Sequence, residues 1–176
     1  MQHFVTRLKS SDNTYKELFI RYPNNPILTA KDWPYAVNSV FNPAATAFGD
    51  GILLFARVED RRGFSHFTKA ISSDGVTNWK IDSCPTLEAN PDYPEEEWGI
   101  EDPRITRIDE LNRWAVVYTS FSRSGPTVSL ALTKDFESFE KMGSIMPPED
   151  KDAALFPRRF KNRWLLIHRP IGAHLG

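Results

Sequence analysis

The stretch Gly99-Ile100-Glu101-Asp102-Pro103-Arg104 places two carboxylates directly before a proline, at the mouth of an apolar segment. A carboxylate in such a place either moves a proton or holds a sugar hydroxyl, or it is simply a solvated residue at the start of a strand. Proline disfavours the α region for its predecessor, which predicts an extended backbone at Asp102. Two similar openings flank this one. Asn42-Pro43-Ala44 leads into the run from Thr46 to Arg57, and Phe156-Pro157-Arg158 leads into the run from Phe160 to His168. The three prolines lie about 60 and about 54 residues apart, which predicts a repeated sheet unit whose first strand delivers polar residues to one common place.

Other chemistry-bearing residues bracket these openings. Arg57 and Glu59 stand at i and i+2 on a strand and share a face. They form either a surface ladder of ion pairs or a clamp on a ligand. Lys151, His168 and Arg169 bracket the third opening, and a lysine, histidine and arginine that converge can hold an anion such as phosphate. Taken singly, a histidine at a strand end is more often an ordinary satisfied polar residue, and the anion reading rests on the convergence of the three. Trp33, Tyr35, Tyr93 and Trp98 either stack on sugar rings or pack within the fold. The sequence has no Gly-rich phosphate loop, no zinc-like Cys/His spacing and no Gly-x-Ser-x-Gly elbow.

The elements that must position these residues are short strands. Gly49-Asp50-Gly51 turns the chain between Phe41–Phe48 and Ile52–Val58, because Gly and Asp tolerate positive φ. Ser65–Ser72 follows, then Ser73-Asp74-Gly75 and Trp79. The second unit repeats the plan: Arg104–Ile108, Trp114–Ser120, Thr127–Thr133, then Asp135 and Phe139. Asp74 and Asp135 occupy matching places, as do Trp79 and Phe139. Four short strands at such a period predict a propeller blade. The third unit starts at Ala153 and crosses a Lys161-Asn162 turn into Arg163–His168. The predicted units run over about 38–85, 99–145 and 151–176 within one domain. A short helix is the weak expectation for residues 8–20, and Leu87–Trp98 reads as a long, functional connection between units.

Composition narrows the class. The chain has 176 residues, enough for one domain or a piece of a larger one, with 22 basic and 23 acidic residues and a net charge of −1. That balance gives no electrostatic reason to expect nucleic acid or an acidic membrane as partner. No stretch approaches a membrane span, and no metal is implied; a soluble cytoplasmic protein is the expectation. Lone Cys84 has no partner for an intramolecular disulfide and reads as a buried structural thiol.

The pattern resembles glycoside hydrolase family 130, the β-mannoside phosphorylases and related β-mannosidases. The resemblance rests on Asn38-Ser39-x-Phe41-Asn42-Pro43-Ala44, Arg57-x-Glu59, the Gly99–Arg104 stretch, Lys151-Asp152-Ala153-Ala154-Leu155-Phe156-Pro157 and His168-Arg169-Pro170. It implies an all-β fold, a five-bladed β-propeller with its site at one end of the channel. It implies inverting phosphorolysis of β-mannosides to mannose 1-phosphate, with Asp102 as the single essential acid acting through the 3-hydroxyl of the mannose. Inorganic phosphate is then a co-substrate, no other cofactor is needed, and a β-mannoside oligosaccharide or a mannosyl-glucose is the partner. By position Asn38, Ser39, Arg57, Glu59 and Glu101 surround the mannose. Lys151, His168 and Arg123 hold phosphate. Two alternatives stay open: phosphate-independent hydrolysis, or a half-propeller that binds mannosides without turnover.

The resemblance also implies a chain about twice this long. This sequence would supply about two and a half blades. It is then a fragment, an inactive form, or one half of a homodimer joined through an open sheet edge.

Overall fold

Two residues that accept left-handed backbone, Gly49 (φ +57°) and Asn112 (φ +49°), mark matching hairpins in two matching sheets. The computed structural model describes residues 20–171, preceded by the backbone of a short antiparallel pair, β1 (Arg7–Lys9) and β2 (Tyr15–Glu17). The first sheet is the antiparallel meander β3 (Ser39–Phe48), β4 (Gly51–Glu59), β5 (Ser65–Ser72) and β6 (Lys80–Ile81). The second is β7 (Ile100–Ile108), β8 (Arg113–Ser122), β9 (Gly125–Thr133) and β10 (Phe139–Ser144), in the same order. A third sheet pairs β11 (Asp150–Leu155) with β12 (Leu166–Pro170). Among the described residues the sheets do not close into a ring, and no helix is long and apolar enough to cross a membrane.

The first strand of each of these three sheets carries the same defect. Register slips between Phe41 and Ala44, between Glu101 and Arg104, and between Lys151 and Ala154. In each, two residues oppose one on the neighbouring strand, which is a β-bulge. The residue that absorbs it has positive φ: Asn42 (+43°), Asp102 (+51°) and Asp152 (+53°). Asn and Asp tolerate this conformation better than most side chains. The extended backbone expected at Asp102 is therefore corrected, because the bulge outweighs the preference imposed by Pro103. The third opening is also relocated: the counterpart of Pro43 and Pro103 is Ala153. Pro157 lies past the end of β11, ahead of a turn at Lys161 and Asn162, both with positive φ.

Sheets pack face to face through aromatic rings. Phe55 of β4 stacks on Phe139 of β10 with centroids 5.7 Å apart, and Phe67 of β5 meets Tyr118 of β8 at 5.8 Å. Leu53, Phe55, Phe67, Ile100, Val116, Tyr118 and Phe136 are all buried in one cluster. Val117, Val128 and Ala153 form a second cluster between the second and third sheets. Burial of each such Leu, Val, Ile or Phe side chain is worth roughly 1.5–3 kcal/mol.

Matching turns close the outer strands. Asp74 accepts hydrogen bonds from the backbone N–H groups of Val76 and Thr77, and Asp135 accepts them from Glu137 and Ser138. The hydroxyls of Ser72 and Thr133 complete the two turns by donating to Thr77 and Ser138 carbonyls.

Two further expectations are corrected. Cys84 is exposed, in the irregular chain after β6, and is not a core thiol. The described part of residues 8–20 contributes to β1 and β2 rather than a helix; the remainder of that stretch, up to residue 19, lies outside the described residues.

Candidate active site

Gly99 holds the start of β7 against the first sheet. It forms a parallel bridge to Ser65, and a Cβ placed there would sit 2.8 Å from the Ser65 backbone N and O. Only glycine permits that approach. The bridge brings Glu101 and Asp102 to the end of β4, where Arg57 points across the gap between sheets.

Arg57 is the centre of the resulting cluster. Its Nη1 donates to Asp102 Oδ1 at 3.0 Å, its Nη2 to Glu101 Oε1 at 2.8 Å and its Nε to Ser65 Oγ at 2.9 Å. The guanidinium lies 4.6 Å from the centroid of the Phe41 ring. Asn42 Nδ2 donates to the same Asp102 oxygen at 2.9 Å. The Arg57 and Asp102 side chains are 12% and 15% exposed, so these bonds are only weakly screened by water. Among the described residues Asp102 Oδ2 has no protein partner. One oxygen is fixed by two donors and the other meets none from the described residues. Burial pushes the Glu101 carboxyl above its ordinary range; Arg57 and Lys151 pull it back and Asp102 adds to the rise.

Asn38, Ser39 and Glu59 form an adjoining group on the first sheet. Asn38 Nδ2 donates to Glu59 Oε1 at 2.6 Å, Ser39 Oγ reaches the same oxygen at 3.4 Å, and the Asn38 N–H donates to the Glu59 carbonyl at 2.8 Å. Arg57 and Glu59 thus serve different partners: Arg57 reaches the second sheet, while Glu59 ties down the start of its own.

The cationic residues divide. Lys151 is near enough to Glu101 for its charge to be felt there. Lys151 and Arg169 are cross-strand partners, and Arg169 makes an ion pair with Asp152. His168 sits opposite the third bulge, and its Nδ1 lies 2.6 Å from Asp150 Oδ2. Arg123 is not brought to the cluster by any bond. It occupies the β8–β9 turn, 77% exposed, and grips Glu97 through Nε at 3.0 Å and Nη2 at 2.7 Å. It lines a cleft of about 530 Å³ with Tyr93, Pro94 and Glu96.

The aromatic residues mostly pack. Trp33 is buried against Ala56 and Val58. Tyr35 bonds to His66 and Thr68, and Tyr93 donates to the Lys141 carbonyl at 3.1 Å. Trp98, 40% exposed, lies edge-on against Phe121.

Sequence reasoning missed Asn42, Ser65 and Asp150 as members of the site. Asn42 was detectable: it precedes Pro43 as Asp102 precedes Pro103, so the repeat itself marks it. Ser65 and Asp150 carry no such signal.

Comparison with known proteins places these features in context. The family model described as beta-1,4-mannooligosaccharide phosphorylase matches residues 16–175. A beta-1,2-mannobiose phosphorylase of Listeria innocua is 35% identical over 120 residues, covering 65% of this chain and 32% of that protein. A beta-1,4-mannooligosaccharide phosphorylase of Ruminococcus albus is 28% identical over 162 residues, covering 88% and 47%. The solved structure of the Listeria innocua beta-1,2-mannobiose phosphorylase with beta-1,2-mannobiose superposes with a TM-score of 0.77 at 24% identity, over 89% of this chain and 59% of that one. The chain therefore spans about a third to a half of the length of the curated relatives it matches.

Proposed function

The chain belongs to glycoside hydrolase family 130, and from that membership we propose that it acts in the inverting phosphorolysis of β-mannosides, releasing mannose 1-phosphate. Mannosides are the substrates named for its relatives. The observation that carries the reading is the asymmetry of the Asp102 carboxyl: Asn42 and Arg57 both hold Oδ1, leaving Oδ2 open.

Asp102 is the acid in this reading. Its Oδ2 passes a proton through the mannose 3-hydroxyl to the glycosidic oxygen. The anomeric carbon then takes the phosphate oxygen from the opposite face, with inversion. Phosphate is already a nucleophile and needs no second carboxylate, unlike the water of ordinary inverting glycosidases. Asn38, Ser39, Arg57, Glu59 and Glu101 hold the sugar, and Lys151 and His168 hold the phosphate. Arg123 is engaged by Glu97 and reaches phosphate only if that pair opens. We read the two four-stranded sheets and the β11–β12 hairpin as successive blades of a five-bladed propeller, with the three bulged strands lining its channel.

The test is incubation of the chain with β-1,2- and β-1,4-mannobiose, with and without inorganic phosphate. Mannose 1-phosphate formed only with phosphate is the expected result. Free mannose formed equally without phosphate makes the protein a hydrolase. Saturable binding of either disaccharide with no product makes it a binding module.

A further inference from the structure

Asp150 is an acid in an apolar place. It stands two residues before the bulge of β11, where β7 has the fully buried Ile100. Its side chain is 5% exposed, β11 packs against β8 and β9, and its Oδ1 is buried without a hydrogen-bond partner among the described residues. A buried carboxylate with an unmatched oxygen costs stability, and an apolar residue of similar size would avoid that cost. Its described side-chain partner is His168, at 2.6 Å through Nδ1. Asp150 lies opposite Pro170, two residues along from His168, so the pleat turns both side chains to one face. The imidazole itself is 32% exposed, and among the described residues its Nε2 has no partner.

We propose that Asp150 is the positioning residue of a phosphate subsite built on His168: its carboxylate holds the imidazole through Nδ1 and leaves Nε2 to meet the anion. The proposal rests on the phosphorolysis reading above. An ionised carboxylate only accepts hydrogen bonds, so Nδ1 must carry a proton. Nε2 then accepts from the hydroxyl of hydrogenphosphate when the ring is neutral, and donates to a phosphate oxygen when it is protonated. A histidine ligand held from behind by a carboxylate is a recurrent device for fixing ring tautomer and direction. Around this pair stand Lys151 and Arg169 on neighbouring strand positions, Asp152 paired with Arg169, and Glu101 beside Lys151.

The experiment uses the 176-residue chain labelled with ¹⁵N. Long-range ¹H–¹⁵N spectra of the histidine rings are recorded with and without inorganic phosphate, and a His168→Asn variant assigns the signals. The expected result is a His168 ring that carries a proton on Nδ1, whether neutral or doubly protonated, with its Nε2 signal moved by phosphate. Asp150→Asn should raise the phosphate concentration for half-saturation by roughly 10- to 100-fold, the scale seen when orienting partners of histidine ligands are removed. Asp150→Glu should recover part of that loss. A neutral His168 protonated on Nε2, a His168 signal unmoved by phosphate, or an Asp150→Asn variant with unchanged half-saturation would each overturn the proposal. If Asp150→Asn does not fold, the two measurements on the unaltered chain decide. Phosphate bound at His168 without mannose 1-phosphate from either mannobiose overturns the reaction and leaves the positioning role. Mannose 1-phosphate formed while His168 stays unmoved does the reverse.

Discussion

Asn42 donates a hydrogen bond to Asp102 across 60 residues of chain, and each is the left-handed residue of its own strand's bulge. The same defect in two successive sheets therefore makes both halves of one contact. The bulge turns each side chain out of the regular pleat, toward the gap between the sheets, where an unbulged strand would bury it or expose it in alternation.

Replacing Asp102 with Asn keeps the shape of the group and its acceptance of the Arg57 bond while removing the proton that the proposed phosphorolysis draws on. Phosphorolysis should fall by about 10²–10⁴-fold, the usual contribution of a general acid. The melting temperature should change little. Product assay and thermal denaturation on the same preparation check both expectations.

Arg57→Ala leaves Glu101 and Asp102 side by side with no counter-charge between them, and Ser65 without its donor. Removing one partner from a largely buried ion pair costs on the order of 3–5 kcal/mol. Arg57→Lys should recover only part of that, because one ammonium cannot reproduce a fork gripping two carboxylates. Urea denaturation midpoints of the two variants provide the comparison.

Under the proposed phosphorolysis, Lys151→Ala should raise the KM for phosphate by roughly 10- to 150-fold with the KM for mannoside unchanged, since a charge-assisted contact to an anion is worth roughly 1.5–3 kcal/mol. Equal effects on both constants would place Lys151 in the sugar subsite instead.

Asp135 gives stability a defined pH window. The Ser138 and Glu137 N–H groups lower its carboxyl to about 2 in the folded chain. The unfolded chain titrates near 4. A lowered folded value stabilises above the unfolded one and is lost as pH falls through the folded one, so this contribution declines from about pH 4 toward pH 2. Asp74 is lowered in the same sense by Thr77 and Val76. Urea midpoints measured across that range should fall less steeply in Asp135→Ala, which also starts from a lower value at pH 7.

Strand content, turn positions and the two-sheet repeat were legible because they follow local rules. Gly49 at its hairpin, and Asp74 and Asp135 capping equivalent turns, depend only on neighbours a few residues away. The third opening lies at Asp152-Ala153 rather than at Pro157, because proline is not what marks it. The requirement common to the three strands is a residue that accepts positive φ followed by one that completes the bulge, and Asp152-Ala153 satisfies it without proline. Cys84 was misjudged because thiol burial is a tendency of the residue type, whereas this position lies in an exposed connection.

By itself the sequence determined an all-β chain of repeating antiparallel units and the family motif that carries Asp102, since alternation, turn chemistry and residue order are properties of a string. Which donors meet at Asp102, that Asp150 backs His168, and that Arg123 is turned to Glu97 were decided only in three dimensions. Those contacts depend on how closely one sheet approaches the next. That distance is set by the packing of Phe55, Phe67, Ile100 and Tyr118 and by the bare Gly99 against Ser65, groups far apart along the chain.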